Sequence, residues 1–320
     1  MKVAIDSGPL KSGDSVRGIG TYTRELLKAL KMDGVDVSKE DLSKYEMVHF
    51  TRFNPFFISV PFTKPKNTKF VLTIYDLIPL IYPNHYPSGI KGKIRFLINR
   101  YLINKNIDAI ITISETSKKD ICRFLGVNPR KVYVTYLASR KIFKKINNAT
   151  YPGLPRKFAL YVGDVNYNKN VPNLVKACEI ARLPLVVVGK QAKEIENLDL
   201  NHLELKHLKN VNWQNVTRLG FVDDIDLVKI YNLATVFVQP SLYEGFGLPA
   251  IEAVACGTPI AVTKSQCMVE ILGDNFSFAD PGSAESIAKA VLSPNVNKKL
   301  PRDYSWENTA KETLKVYGHV

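Results

Sequence analysis

Short runs of Val, Ile, Leu and Phe alternate along the chain with longer stretches whose apolar residues recur every three or four positions. The short runs are too uniformly apolar for half-exposed strands and read as strands buried on both faces of a parallel sheet. They are predicted at 2–6, 47–51, 69–75, 109–113 and 132–136, and again at 158–162, 185–189, 217–221, 235–239 and 258–262. Helical spacing is predicted over 19–30, 92–104, 115–125, 171–181, 225–232, 249–256 and 284–292. Repeated strand–helix units of this kind give doubly wound α/β domains. Periodicity breaks at 147–156, where Asn147, Asn148, Pro152, Gly153 and Pro155 form a linker composition. Two Rossmann-like domains facing across a cleft are therefore expected, over 1–150 and 151–302. An amphipathic helix within 303–320, after the break at Pro301, is expected to pack back on the first.

Composition adds limits. With 320 residues, 45% of them hydrophobic and 23% charged, each half can bury its own core. No apolar stretch is long enough for a bilayer span; that over 71–81 is interrupted by Asp76. The N-terminus reads as a strand rather than a signal peptide. Cys122, Cys178, Cys256 and Cys267 lack metal-ligand spacing and fit buried thiols of a reducing compartment, so the chain is expected in the cytoplasm. Charge changes the picture more. Residues 1–150 hold 26 Lys and Arg against 12 Asp and Glu, a net +14, whereas the remainder balances at 18 against 18. Such segregation implies a docking face for anionic lipid headgroups, a phosphorylated acceptor or nucleic acid.

The most informative stretch is PSLYEGFGLPAIEA at 240–253. A buried strand ends at its start, a glycine-containing loop follows, and Pro249 stands where a helix begins. Ligands of open α/β sheets bind at the carboxyl ends of strands, so this loop lies at the expected crevice. Glu244 on the loop and Glu252 in the helix can meet one elongated ligand at different points, each accepting from sugar or ribose hydroxyls. Gly245 and Gly247 allow close backbone approach, and the helix N-terminus suits a phosphate. The blander reading, in which a glutamate near a helix start offsets the dipole, applies to Glu252 alone more readily than to the whole string.

This string resembles the paired-glutamate signature of retaining glycosyltransferases of family 4, mannosyltransferase-like members included, which have the GT-B fold. The resemblance covers essentially the whole chain: VRGIGTYTRE at 16–25, TIYDLIP at 73–79, TISETSK at 112–118, YVGD at 161–164 with Lys169 and Asn170, LGFVD at 219–223, EILGD at 270–274 and DPG at 280–282 follow in family order. It implies an acceptor-side first domain and a donor-binding second domain. It assigns Glu252 to the nucleotide ribose and Glu244 to the donor sugar, with Gly245, the backbone around Phe246 and Gly247, and Leu248 beside them. Lys169 would neutralise the diphosphate, with Gly163 nearby, and Phe221 and Val222 would line the base pocket. Gly18 and Gly20 would meet the diphosphate from the first domain, and Asp76 would face the reacting carbon and the acceptor. The resemblance implies a metal-independent hexosyltransferase with no cofactor beyond a UDP- or GDP-hexose co-substrate. Two departures from the family pattern stand out. Asp164 and Asn168 occupy positions where members often have arginine, which puts more of the phosphate charge on Lys169, and Tyr75 replaces a common histidine before Asp76.

Other features carry less. The segment 91–105 mixes basic and apolar residues and reads either as a core-packing helix with a solvated basic face or as an interfacial membrane helix. The aromatic stretch 50–62 reads as strand and loop, or as an acceptor-side membrane lip, and His85 as a surface-loop residue. The resemblance implies a glycan or lipid-linked acceptor for a cell-surface polysaccharide, with peripheral contact at the inner face of an anionic membrane. Nucleic acid is not expected as a partner, because no recognition motif accompanies the basic half. A dehydrogenase is disfavoured by the missing G-x-G-x-x-G fingerprint. A non-hydrolysing nucleotide-sugar epimerase of the same fold, a basic nucleic-acid- or membrane-binding non-enzyme and a catalytically silent scaffold remain as alternatives.

Overall fold

The computed structural model describes residues 1–13, 15 and 18–320, and the chain divides into two compact units. The first comprises Met1–Pro83, Ser88–Ala138 and Tyr304–Val320; the second comprises Asn84–Pro87 and Ser139–Asp303. The division falls at Ala138/Ser139, earlier than the 150/151 read from the linker composition. The reason is a set of polar ties: Arg140 forms an ion pair with Asp224, and the Ile146 N–H donates to Asn232 at 2.9 Å, so 139–150 goes with the second unit.

In the first unit β1 (Val3–Ile5), α1 (Gly18–Leu30), β2 (Met47–Phe50), β3 (Lys69–Thr73), α2 (Ile78–Ile81), α3 (Gly89–Asn106), β4 (Ala109–Thr112), α4 (Glu115–Leu125) and β5 (Val132–Val134) build a parallel sheet of order β1-β2-β3-β4-β5. In the second, β6 (Ala159–Val162), α5 (Val171–Ala181), β7 (Leu185–Val188), α6 (Lys190–Lys193), β8 (Val216–Gly220), α7 (Asp224–Leu233), β9 (Val236–Gln239), α8 (Leu248–Ala255), β10 (Ile260–Thr263), α9 (Gln266–Leu272), β11 (Phe278–Ala279) and α10 (Ala284–Leu292) form a parallel sheet of order β11-β10-β9-β6-β7-β8. Helix α11 (Trp306–His319) then returns to the first unit.

The alternation of side chains along a strand decides what covers each face of the first sheet. Val48 and Phe50, Phe70 and Leu72, and Ile110 point to one face, where Leu102 and Ile103 of α3 and Ile121 and Leu125 of α4 complete the core. Met47, Val71, Ala109 and Ile111 point to the other, where Val316 and Tyr317 of α11 close it. His49 lies on this second face, fully buried, with Nδ1 at 2.7 Å from the Tyr317 hydroxyl and Nε2 at 2.7 Å from Thr73 Oγ1. A ring with hydroxyl partners on both nitrogens can stay neutral without an orphaned polar atom. The C-terminal helix is thus held by apolar packing, by this tie to His49, and by the Thr309 hydroxyl donating to the Tyr136 carbonyl at 2.6 Å. In the second unit Ala159, Tyr161, Val187, Val236 and Val238 pack with Leu174 and Cys178 of α5 and Ile287 and Val291 of α10.

Burial pushes the His49 pKa down to about 3. A histidine that folds neutral gives stability that is complete above the unfolded value of about 6.5 and is lost as pH falls from there towards 3. At pH 5 the loss is about 2 kcal/mol. Urea unfolding at pH 7.5 and 5.0 should show that penalty in the wild type and not in His49→Gln; equal losses in both chains would clear His49 of the effect.

Candidate functional site

In the second sheet the chain runs outward from β6 through β7 to β8 on one side, and from β9 through β10 to β11 on the other. Neighbouring β6 and β9 therefore flank the topological switch point, where loops leave in opposite directions and open a crevice at the carboxyl ends. Lys169 follows β6 and Glu244 follows β9. The two side chains meet there: Lys169 Nζ donates to Glu244 Oε1 at 2.8 Å and to Oε2 at 2.9 Å. Glu244 Oε1 also accepts from Gln239 Nε2 and Ser241 Oγ, each at 2.6 Å. Glu244 is buried, so these donors replace the water its charge would otherwise need.

Side chains from neighbouring elements hold the backbone of this loop. Thr263, at the end of β10, donates its hydroxyl to the Ser241 carbonyl at 2.7 Å. Asn168 is buried; its Nδ2 donates to the Tyr243 carbonyl at 3.0 Å, its own carbonyl accepts from the Leu242 N–H at 2.8 Å, and its Oδ1 accepts from the Tyr86 hydroxyl at 2.6 Å. Asn168, one of the departures from the family pattern, is therefore a crosslink between the segments that carry Lys169 and Glu244. Asn170, in the left-handed region at φ 56°, donates to the carbonyls of Pro240 and Pro281.

After the loop, Gly247 turns the chain into α8 at φ 93°, a backbone conformation that strains any residue with a Cβ. One turn into α8 stands Glu252, also buried, with Oε2 accepting from the Tyr231 hydroxyl of α7 at 3.2 Å. Burial pushes its pKa up to about 7, opposed by the nearby Arg140 guanidinium and the Tyr231 hydrogen bond. Arg140 is itself engaged by both oxygens of Asp224, at the start of α7.

The other residues named from sequence fall as follows. Gly163 ends β6 at φ 151°. Gly245 and Phe246 are both buried, and the Phe246 carbonyl accepts from the Cys267 thiol at 3.5 Å. Leu248 opens α8, half-buried. Phe221 follows β8 with 66% of its surface exposed, beside half-buried Val222. Gly18, Gly20 and Asp76 belong to the first unit. Gly18 and Gly20 open α1, and a Cβ on Gly18 would meet nothing within 4 Å among the described residues. Val16 and Arg17 of the same motif lie outside the described residues. Asp76 Oδ1 accepts from the Ile78 N–H at 3.1 Å at the entry to α2, and the Tyr75 hydroxyl donates to the Thr51 carbonyl at 2.7 Å. His85, expected as a plain surface-loop residue, stacks on Tyr167 with ring centroids 3.3 Å apart. The first unit also holds a groove of about 1060 Å³ whose walls include Asp6, Arg52, Phe57, Phe62 and Arg95. Sequence reasoning missed Gln239, Ser241, Tyr231 and Arg140. The first two stand within five residues of Glu244 at the strand's end and could have been found there; the last two are brought in only by folding.

A family model described as glycosyl transferases group 1 matches residues 143–311, and one described as glycosyltransferase family 4 matches residues 39–138. The chain is 26% identical over 283 residues to the O-antigen chain mannosyltransferase B of Escherichia coli, covering 77% of this chain and 69% of that protein. It is 30% identical over 247 residues to an uncharacterized glycosyltransferase of Methanocaldococcus jannaschii, covering 68% of this chain and 61% of that one, under two thirds of its length. Anabaena HepE, solved with UDP-glucose, superposes with a TM-score of 0.68 at 14% identity over 99% of both chains. At that identity the likeness speaks for fold alone, and the fold is GT-B.

A carboxyl whose folded pKa lies above its unfolded value favours folding while protonated; stability is highest below about 4.5 and falls as pH rises towards 7. Glu252→Gln removes the titration and should stabilise the chain by about 3 kcal/mol at pH 8 and by less than about 1 kcal/mol at pH 5. Calorimetry at both values decides it: an equal gain at each would rule out Glu252 ionisation as the source.

Proposed function

The chain belongs to the glycosyl transferases group 1 family, and from that membership we propose that it transfers a hexose, with mannose favoured over glucose, from a UDP- or GDP-sugar to a glycan or lipid-linked acceptor, retaining the anomeric configuration. The observation that carries this reading is the Lys169–Glu244 pair at the switch point of the second sheet. A half-buried cation and a buried carboxylate side by side suit a ligand that presents phosphate oxygens next to sugar hydroxyls. When the donor enters, Lys169 turns to the diphosphate and Glu244 accepts from sugar hydroxyls, so the ligand takes over both halves of the ion pair. Ionised Glu252 accepts from the ribose hydroxyls, Phe221 stacks on the base beside Val222, and the amides from Gly245 to Leu248 approach the sugar and phosphates. Gly163 leaves room at the end of β6. Gly18 and Gly20 are assigned the diphosphate and Asp76 the reacting carbon.

In the reaction the acceptor oxygen bonds to the anomeric carbon as the bond from that carbon to the phosphate oxygen breaks. The acceptor proton passes to the departing phosphate on the same face. The leaving diphosphate is stabilised by Lys169, backbone N–H groups and the α8 N-terminus, with no metal assigned. The groove of the first unit is assigned the acceptor: Arg52 and Arg95 suit a phosphate, and Phe57 and Phe62 a sugar face or lipid chain. The relatives named as O-antigen mannosyltransferases support an acceptor of the polysaccharide type, and the basic first unit supports its presentation at an anionic lipid surface.

A thermal-shift screen against UDP, GDP, ADP and their hexose conjugates tests the reading. At tenfold excess over Kd a ligand stabilises by about 1.4 kcal/mol, a rise of roughly 3–5 °C. One base family should give that rise in the wild type and not in Lys169→Ala or Glu252→Ala, each compared with its own ligand-free Tm. No response to any nucleotide at millimolar concentration overturns the proposal, and donor-sugar conversion without an acceptor favours an epimerase.

A further inference from the structure

Helix α3 has two apolar faces. Gly92, Asn99, Leu102, Ile103 and Asn106 are buried against the unit. On the opposite side Ile90, Ile94, Leu97 and Tyr101 are 80%, 53%, 60% and 62% exposed. Their spacing of four, three and four residues aligns them in one stripe roughly 17 Å long. Lys91, Lys93, Arg95, Arg100 and Lys105 of the same helix are all exposed, and the helix contains no Asp or Glu. At 3.6 residues per turn, Lys91 and Lys105 fall on one flank of the stripe and Lys93 and Arg100 on the other. The Lys105 ammonium lies 5.6 Å from the Tyr101 ring centroid, at the end of the stripe.

Further exposed apolar surface lies on a segment fastened to the same helix. The Asn99 side-chain amide donates to the Phe57 carbonyl at 2.6 Å, and Arg95 lies over the Phe57 ring at 5.6 Å. The segment so fastened exposes Phe57, Ile58 and Phe62, so seven of the sixteen large hydrophobic side chains exposed among the described residues fall between 57 and 101.

An apolar line with cations on both flanks and no anion needs an occupant that is apolar within and anionic at its rim. A second copy of the chain would set five cations against five. We propose that α3 docks on an anionic lipid bilayer, with Ile90, Ile94, Leu97 and Tyr101 inserted at the acyl boundary and the flanking lysines and arginines among the headgroups. This deepens the reading of an acceptor presented at a lipid surface and rests on it; the donor site belongs to the other unit. Arg95 is both on this helix and on the wall of the acceptor groove, so docking would bring that groove beside the headgroups.

The test is co-sedimentation of the full chain with vesicles of phosphatidylcholine alone and of phosphatidylcholine with phosphatidylglycerol in equal parts. Wild type should partition at least tenfold more strongly onto the anionic vesicles and lose most of that in 0.5 M salt. Ile94→Asp/Leu97→Asp, at exposed positions where folding is spared, should lose at least tenfold while its nucleotide thermal shift matches wild type. Leu97→Trp should show a blue-shifted emission with anionic vesicles. Failure of the wild type to bind them, or equal binding by the double variant, overturns the docking face even where the nucleotide response is intact. Loss of the nucleotide response with vesicle binding intact would instead count against the transferase reading. A concentration-dependent dimer abolished by the double variant, without vesicle binding, overturns the proposal in favour of a second copy.

Discussion

The buried pair of Lys169 and Glu244 constrains the rest of the second unit more than any other interaction. A carboxylate out of water must be matched by donors, and truncating one partner of a fully buried pair costs about 3–5 kcal/mol. The Lys169 side chain keeps 22% of its surface, so its removal falls at or below the low end of that range. The pair can form only where segments leaving β6 and β9 come side by side, which the strand order determines. Gln239 and Ser241 add donors, while Asn168, Asn170 and Thr263 hold the loops that bring them. Stability and binding then compete for the same atoms, because any ligand for either group must substitute for its partner.

Glu252 shows the same competition in a different form. Its carboxyl is drier than its charge would choose, and Arg140 and Tyr231 offset part of that cost. Arg140 is tied to Asp224, so the guanidinium beside Glu252 is fixed by α7 rather than by the helix that carries the glutamate. A ligand hydroxyl donating to Glu252 would favour its ionised form, so nucleotide affinity and the charge of this group are linked by the same thermodynamics that links its charge to folding. The two glutamates of the motif are therefore different in kind: one is paired with a lysine, whereas the other, its pKa pushed up to about 7, is about half-ionised at pH 7.

Much of the architecture was legible because its strands are buried on both faces and leave an unbroken apolar signal. The paired glutamates and glycines were legible because their loop needs them close together in sequence. What was hidden depends on chain that folding brings in from afar. Arg140 sits between the strand predicted at 132–136 and the linker, where no element is predicted, and His85 looks like loop until Tyr167 is stacked against it. Helix α9 and the two-residue β11 were not predicted, being too short for periodicity to register. The segment of α3 was left with two readings, core-packing or interfacial, because apolar residues on both sides cancel the one-sided pattern by which an amphipathic helix is recognised.

Charge is where reading by sequence halves and reading by folded units part company. The +14 of residues 1–150 resolves into 24 basic against 14 acidic residues in the first unit, a net +10, and 20 against 16 in the second, a net +4. Part of what counts towards a basic docking half thus belongs with Glu252: Arg140, Lys141, Lys144 and Lys145 lie in the stretch that folds with the second unit. Of the +10 that stays, α3 supplies five unopposed charges on 18 residues. The asymmetry is therefore less a property of a domain than of one helix. Screening confines exposed charges to a Debye length of about 8 Å at physiological salt, so close neighbours such as Lys91, Lys93 and Arg95 on one helix reinforce one another, whereas the same charges spread over a domain would not.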